Sequence, residues 1–171
     1  MGESIHIFSF ANSTTNKIIA NANTSITIDF NSTELTDAVQ SIIDANPSLS
    51  EYMKNAQKNG IWDLKKQEKY KHKGSLLFGK YASPRDAGNF VAGYFSASRG
   101  VFSPTIDFGY GFYNLSGNNT TRTCINAALF VMAPIPLSYK GVAFVLIGQF
   151  GENKISRLSQ RAGKQFYKSI H

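Results

Sequence analysis

Ser83-Pro84-Arg85-Asp86-Ala87-Gly88-Asn89-Phe90-Val91-Ala92-Gly93-Tyr94-Phe95 is the stretch of this 171-residue chain that most sharply specifies local structure. Ser83 is placed to cap a helix, Pro84 suits its first position, and Asp86 puts an acid in the first turn, where the helix dipole favours one. The spacing then predicts that Phe90, Val91, Tyr94 and Phe95 face a core, with a stop near Arg99-Gly100. One buried helix in the middle of the chain therefore anchors the fold.

On the N-terminal side, Ser75 to Tyr81 reads as a strand, and residues 61–74 carry too much charge for a buried element. Before that stand two amphipathic helices. Leu35, Val39, Ile42 and Ile43 recur at helical spacing after Asn31-Ser32-Thr33-Glu34 and end near Asp44. A shorter helix runs from Ser48 through Lys58, closed by Asn59-Gly60. Residues 5–10 and 26–30 alternate apolar with polar, as half-buried strands do, and the Asn-, Ser- and Thr-rich connection Ala11 to Thr24 reads as a polar turn region.

On the C-terminal side, Ser103-Pro104 repeats the helix-start logic and opens an aromatic and glycine-rich segment, Thr105 to Leu115. From Cys124 to Phe150 the only charge is Lys140, and Pro134-Ile135-Pro136 divides two apolar runs. Each run is shorter than the ~18 to 20 apolar residues of a membrane span. The pattern fits a buried helix followed by a core strand; a membrane-inserting hairpin is the alternative. Ile155, Leu158, Ala162, Phe166 and Ile170 then mark a basic amphipathic helix at the end of the chain. The expected fold is α+β in a single compact domain, an N-terminal β-hairpin or meander followed by a mainly helical core with a few strands. Residues 1–50 pack on a core of 51–171 as one folding unit.

Hydrophobic residues at 42% supply a core, and the formal charge of +7 favours anionic partners. That charge is localised. Residues 1–53 hold one lysine against six acids, whereas 54–80 hold eight lysines against Asp63 and Glu68, and 151–171 hold five cations against Glu152. The single Cys124 excludes an internal disulfide and a thiolate zinc site. The start lacks the basic and apolar regions of a secretory signal, so export by another route is expected, and the six Asn-x-Ser/Thr sequons read as turn composition.

His6, His72 and His171 stand in no metal-ligand spacing, and HEXXH, P-loop, GxSxG and GxGxxG patterns are absent, so no metal and no particular cofactor is implied. Asp63 and Lys65 alternate, which puts them on one side of an extended segment, either as a surface ion pair beside Trp62 or as an acid–base and phosphate-holding pair. Asp86 and Asn89 share a helix face beside Arg85. They serve either as ordinary capping, with Gly93 giving close helix packing, or as an anion and substrate site. The lysines from Lys54 to Lys80, interleaved with Trp62, Tyr70, Phe78 and Tyr81 and carrying His72, form either a solvated face or a surface for a polyanion with stackable bases.

The ordered set Trp62-Asp63-Leu64-Lys65, Phe78-Gly79, Asp86-Ala87-Gly88-Asn89, Gly93-Tyr94, Gly109 to Gly117, Gly151-Glu152 and Gly163 to Tyr167 resembles the polymorphic toxin type 44 domain over about residues 55 to 170. The resemblance implies a toxin module of bacterial conflict systems, delivered into rival cells and neutralised in the producer by an immunity protein. Its motif positions are Asp63, Lys65, Asp86, Asn89, Gly93 and Glu152. The stretch Ala127 to Phe150 is longer than the family's usual connection, and the strands before residue 50 have no counterpart in it.

The expectation is an exported antibacterial effector with hydrolytic activity, a nuclease acting in the target cell, in its cytoplasm rather than its periplasm. Asp63, Lys65, Asp86, Asn89 and Glu152 would be its catalytic residues, and Trp62, Arg85, His72 and Tyr94 its substrate contacts. A cell-envelope hydrolase using paired carboxylates, a membrane-active protein using 124–150, and a non-enzymatic binding module are the alternatives. No obligate membrane span is expected.

Overall fold

The structure, a computed structural model of the protein, describes residues 11–12, 17–21, 24–29, 31–71, 73–100, 108–109, 112–113, 115–116, 120–134, 136–150 and 154–171. It is an α+β domain with a mainly helical core. Five strands, β1 (Ala11–Asn12), β2 (Lys17–Asn21), β3 (Thr24–Ile28), β4 (Lys73–Leu77) and β5 (Lys80–Ala82), lie side by side in chain order. The helices are α1 (Glu34–Asp44), α2 (Leu49–Ala56), α3 (Pro84–Ser98), α4 (Thr120–Met132), α5 (Leu137–Phe150) and α6 (Lys154–Ile170).

The N-terminal strands form an antiparallel meander, β1 on β2 and β2 on β3. The expected strand at 5–10 lies outside the described residues, and the connection Ala11 to Thr24 is not merely a turn region. It contains β1 and β2, because Ile18-Ile19 has the β-branched chemistry that favours pleated backbone despite polar neighbours. Strand β3 then pairs parallel with β4, Thr27 opposite Lys73 and Ile28 opposite Gly74. A parallel pair needs a long crossover, which α1 and α2 supply.

Beyond that short pairing, the start of α1 completes the same edge of β4. Ser32 carbonyl accepts from Leu76 N–H at 2.9 Å. Thr36 Oγ1 donates to the Leu76 carbonyl at 2.9 Å and accepts from Phe78 N–H at 3.0 Å, while Ser75 Oγ accepts from Leu35 N–H at 3.0 Å. Backbone groups that a longer β3 would have satisfied are thus held by a helix start.

The expected single strand Ser75 to Tyr81 is a hairpin. Phe78 (φ 47°) and Gly79 (φ 83°) turn the chain between β4 and β5 in two successive left-handed residues. Phe78 tolerates this because its ring is held in an aromatic cluster, 4.3 Å from Phe166 and 5.5 Å from Phe90 between centroids.

Helix α1 ends at Asp44 as its periodicity predicts, and α2 leaves helical geometry at Gln57, before the expected Lys58. Helix α3 begins with a capping box: Ser83 Oγ accepts from Asp86 N–H at 3.2 Å and Asp86 Oδ2 accepts from Ser83 N–H at 3.0 Å. It is buried on several sides, with Ala87, Phe90, Val91, Ala92, Tyr94 and Phe95 meeting Leu35, Val39 and Ile42 of α1, Tyr52 of α2, Leu64 and Leu77. Each fully buried large apolar side chain contributes roughly 1.5–3 kcal/mol, so α3 is the energetic centre of the domain.

Helix α6 packs along α3 with only part of the expected apolar stripe, Ala162 and Phe166, lying against the core. Leu158 and Ile170 are exposed, while Ser156, Ser159, Gln160 and Gly163 face α3. The reason is backbone proximity. A Cβ on Gly93 would collide with the Gln160 carbonyl, and one on Gly163 with the Phe90 carbonyl, so no leucine fits this seam.

The expectation of a buried helix and a core strand in 124–150 is also overturned, because both apolar runs are helical and none of their described side chains is buried. Phe130 of α4 meets Phe108 and Phe112, and Asn126 donates to Ser116 Oγ, yet Ile125, Leu129, Val131 and Met132 are exposed. No helix among the described residues is long and apolar enough to cross a membrane.

Candidate functional site

The loop from Gln57 to Lys71 is built from successive turns, so Asp63 and Lys65 do not alternate along an extended segment. Asp63 points inward and is only 5% exposed, its Oδ2 accepting from Asn59 N–H at 3.0 Å, and Lys65 reaches back from solvent to 4.0 Å from Oδ1. The carboxylate therefore closes the turn in which Asn59 adopts a left-handed conformation. Neighbouring Leu64 is buried and Trp62 stacks on Tyr52 with centroids 6.1 Å apart, so the charged stretch does contribute to the core.

Asp86 is 1% exposed. Oδ2 is shared by the Ser83 N–H and hydroxyl, and Oδ1 accepts from Ser159 Oγ at 3.2 Å. Arg85 is exposed, with Nη2 3.5 Å from Ser156 Oγ, and Asn89 is half-buried one turn on. Tyr94 is enclosed edge-on by Phe95 and Tyr167, and burial pushes its phenol above the ordinary range. Glu152 and His72 lie outside the described residues.

Of the expected groups, Asp63 is thus paired with Lys65 in one place, while in another Asp86 caps α3 and its neighbour Arg85 reaches Ser156. Tyr52 links the two, with its ring on Trp62 and its hydroxyl donating to the Gly88 carbonyl at 3.2 Å. Each carboxylate holds a backbone N–H with one oxygen, Asn59 for Asp63 and Ser83 for Asp86, and faces a side chain with the other.

A different place has open polar chemistry. Between the end of β3, the start of α1 and the loop entering β4 lies a cleft of about 530 Å³, lined by Asp29, Ser32, Glu34, Leu35, Tyr70, Lys71, Lys73, Gly74 and Ser75. It lies where the end of β3 and the start of β4 meet the first turn of α1. The first two N–H groups of α1 are taken by Ser32 and Ser75, so attraction for an anion falls to the lysines.

Lys73 is exposed and has no ion-pair partner among the described residues, whereas Lys71 pairs with Glu68 at 3.5 Å. The Tyr70 ring is half-buried and carries the Lys69 ammonium 5.1 Å from its centroid. Asp29 Oδ1 accepts from Asn31 N–H, while the half-buried Glu34 carboxylate has no hydrogen-bond partner among the described residues. Among those residues no three His, Cys, Asp or Glu side chains gather as metal ligands.

Sequence reasoning singled out Tyr70, Lys71 and Lys73 within the basic run but missed Asp29 and Glu34. The available signal was the abrupt change from an acidic to a basic segment at Lys54. Only the β3–β4 pairing turns that change into proximity.

No family model, no curated protein and no solved structure matches the chain.

Proposed function

We propose that the protein is a nucleic-acid-cleaving toxin domain whose substrate follows the lysine zone of 54–80 and enters the cleft between α1 and β4. One observation carries this reading: the Glu34 carboxylate, without a hydrogen-bond or ion-pair partner among the described residues, lines the same open cleft as Lys73, Lys71 and Tyr70. Lysines hold phosphate oxygens, an aromatic ring stacks on a base, and a nearby carboxylate removes the proton of the attacking water or hydroxyl.

In the same lysine zone of the sequence, Lys54, Lys58 and Lys66 also lack ion-pair partners among the described residues, which suits a surface that follows a phosphate backbone. The toxin role, delivery into a rival cell and neutralisation by an immunity protein rest on the ordered motifs that resemble the type 44 domain. In this reading those motif positions hold the scaffold: Asp63 closes its turn, Asp86 caps α3, and Gly93 admits α6.

The test is cleavage of single-stranded RNA and of DNA by the purified chain, with and without divalent metal. Glu34→Gln is expected to abolish cleavage while leaving binding intact, and Lys73→Ala to weaken binding. Absence of both cleavage and binding at low salt refutes the proposal; binding without cleavage reduces it to a non-enzymatic module.

A further inference from the structure

We infer that the α4–α5 tip inserts into the interfacial layer of an anionic lipid bilayer. This is independent of the cleft and of any reaction there. The exposed large apolar side chains concentrate on either side of Pro134 and Pro136: Val131 is 70% exposed, Met132 78%, Leu137 85% and Tyr139 68%. Scattered exposed apolar residues need no explanation, but several large ones gathered around one turn mark a surface that is covered in use.

Charge distinguishes the occupant. From Thr120 to Phe150 there is no acidic residue, and the cations are Arg122, in the first turn of α4, and Lys140. Lys140 Nζ donates to the Val131 carbonyl at 2.6 Å, so it caps the last turn of α4 beside the tip. Helix α6 then contributes Lys154, Arg157, Arg161, Lys164 and Lys168 with no acid. From Thr120 to His171 the sequence thus joins exposed apolar side chains to seven cations against the single acid Glu152.

A second copy docked through the same turn would offer it no anionic complement, since Thr120 to Phe150 holds no acid. An anionic bilayer offers both complements, hydrocarbon for the tip and negative headgroups for the lysines and arginines. Depth follows from length. At 1.5 Å per residue, helices of 13 and 14 residues reach only about 20 Å, short of the ~30 Å hydrocarbon core. The hairpin therefore enters one leaflet at its surface and does not span.

The experiment uses the full chain and two vesicle preparations, phosphatidylcholine alone and phosphatidylcholine with phosphatidylglycerol. Cosedimentation is expected with the anionic vesicles only. An environment-sensitive fluorophore on Met132→Cys, in a Cys124→Ser background, is expected to shift to the blue on binding. The double variant Met132→Glu/Leu137→Glu is expected to lose roughly tenfold or more in partitioning, equivalent to at least about 1.4 kcal/mol. Its thermal unfolding should match the wild type, because both positions are exposed. Should that variant misfold, the fluorophore shift alone decides. No binding, equal binding by the double variant, an unshifted fluorophore, or lipid-free dimerisation that the double variant abolishes would each overturn the inference.

Discussion

Ser159 Oγ donates to Asp86 Oδ1 across 3.2 Å, joining the first turn of α3 to α6 at a point where both residues are almost wholly buried. The other oxygen of the same carboxylate serves the Ser83 cap. One side chain therefore starts the central helix and positions the last one. Asp86→Ala would leave the Ser83 N–H and the Ser159 hydroxyl without their acceptor, at a cost of about 3 kcal/mol in denaturant unfolding. Nucleic-acid cleavage measured below the lowered melting point should be retained; its loss there would return Asp86 to the chemistry.

Gly93 and Gly163 mark the closest approach of α3 and α6. Gly93→Ala and Gly163→Ala are each expected to destabilise by about 1–3 kcal/mol, because the collision is with backbone. Gly88, on the same helix with open space around it, gives the opposite sign. Gly88→Ala should stabilise by about 0.5–1 kcal/mol through helix propensity. Thermal melts of the three variants check the pattern.

The Tyr52 phenol donates to the Gly88 carbonyl, and burial raises it well above its usual range. In the unfolded chain the same phenol ionises near 10. Its contribution to stability is therefore complete below that pH and is lost as pH rises above it, since the unfolded state alone releases the proton. Tyr52→Phe should cost about 1 kcal/mol at neutral pH. Alkaline unfolding of that variant should be less steep than that of the wild type, as followed by far-UV circular dichroism.

Lys71→Ala and Lys73→Ala should each weaken binding to mixed-sequence nucleic acid to a similar degree for all sequences, and reduce the salt slope by about 1. Tyr70→Ala should weaken binding to single strands by roughly 1–3 kcal/mol with the slope unchanged. Fluorescence anisotropy across a salt series separates the two effects.

Local signals made part of this architecture legible. Ser83, Pro84 and Asp86 specify a helix start through their own backbone chemistry, and the periodicity from Leu35 to Ile42 needs no distant partner. The hairpin at Phe78-Gly79 was hidden because a phenylalanine holds a turn conformation usually left to Gly, Asn or Asp, and what stabilises it there is Phe166, far along the chain.

The face of α6 is legible only in part for a related reason. Hydrophobic spacing places Ala162 and Phe166 against the core, but the approach allowed by Gly93 and Gly163 fills the rest of the seam with small and polar residues and leaves Leu158 and Ile170 exposed. At the cleft, Asp29 and Glu34 gain meaning only from a strand pairing that no local pattern announces.

The parallel register of β3 on β4 also bears on the order of assembly. Everything from Asp29 to His72 must be looped out before Ile28 can meet Gly74, and closing so long a loop costs entropy before any contact offsets it. The β4–β5 pairing is local and does not wait for that closure, whereas the cleft exists only once it has been made. A chain threaded or delivered unfolded would carry no formed cleft until its N-terminal strands had joined the rest.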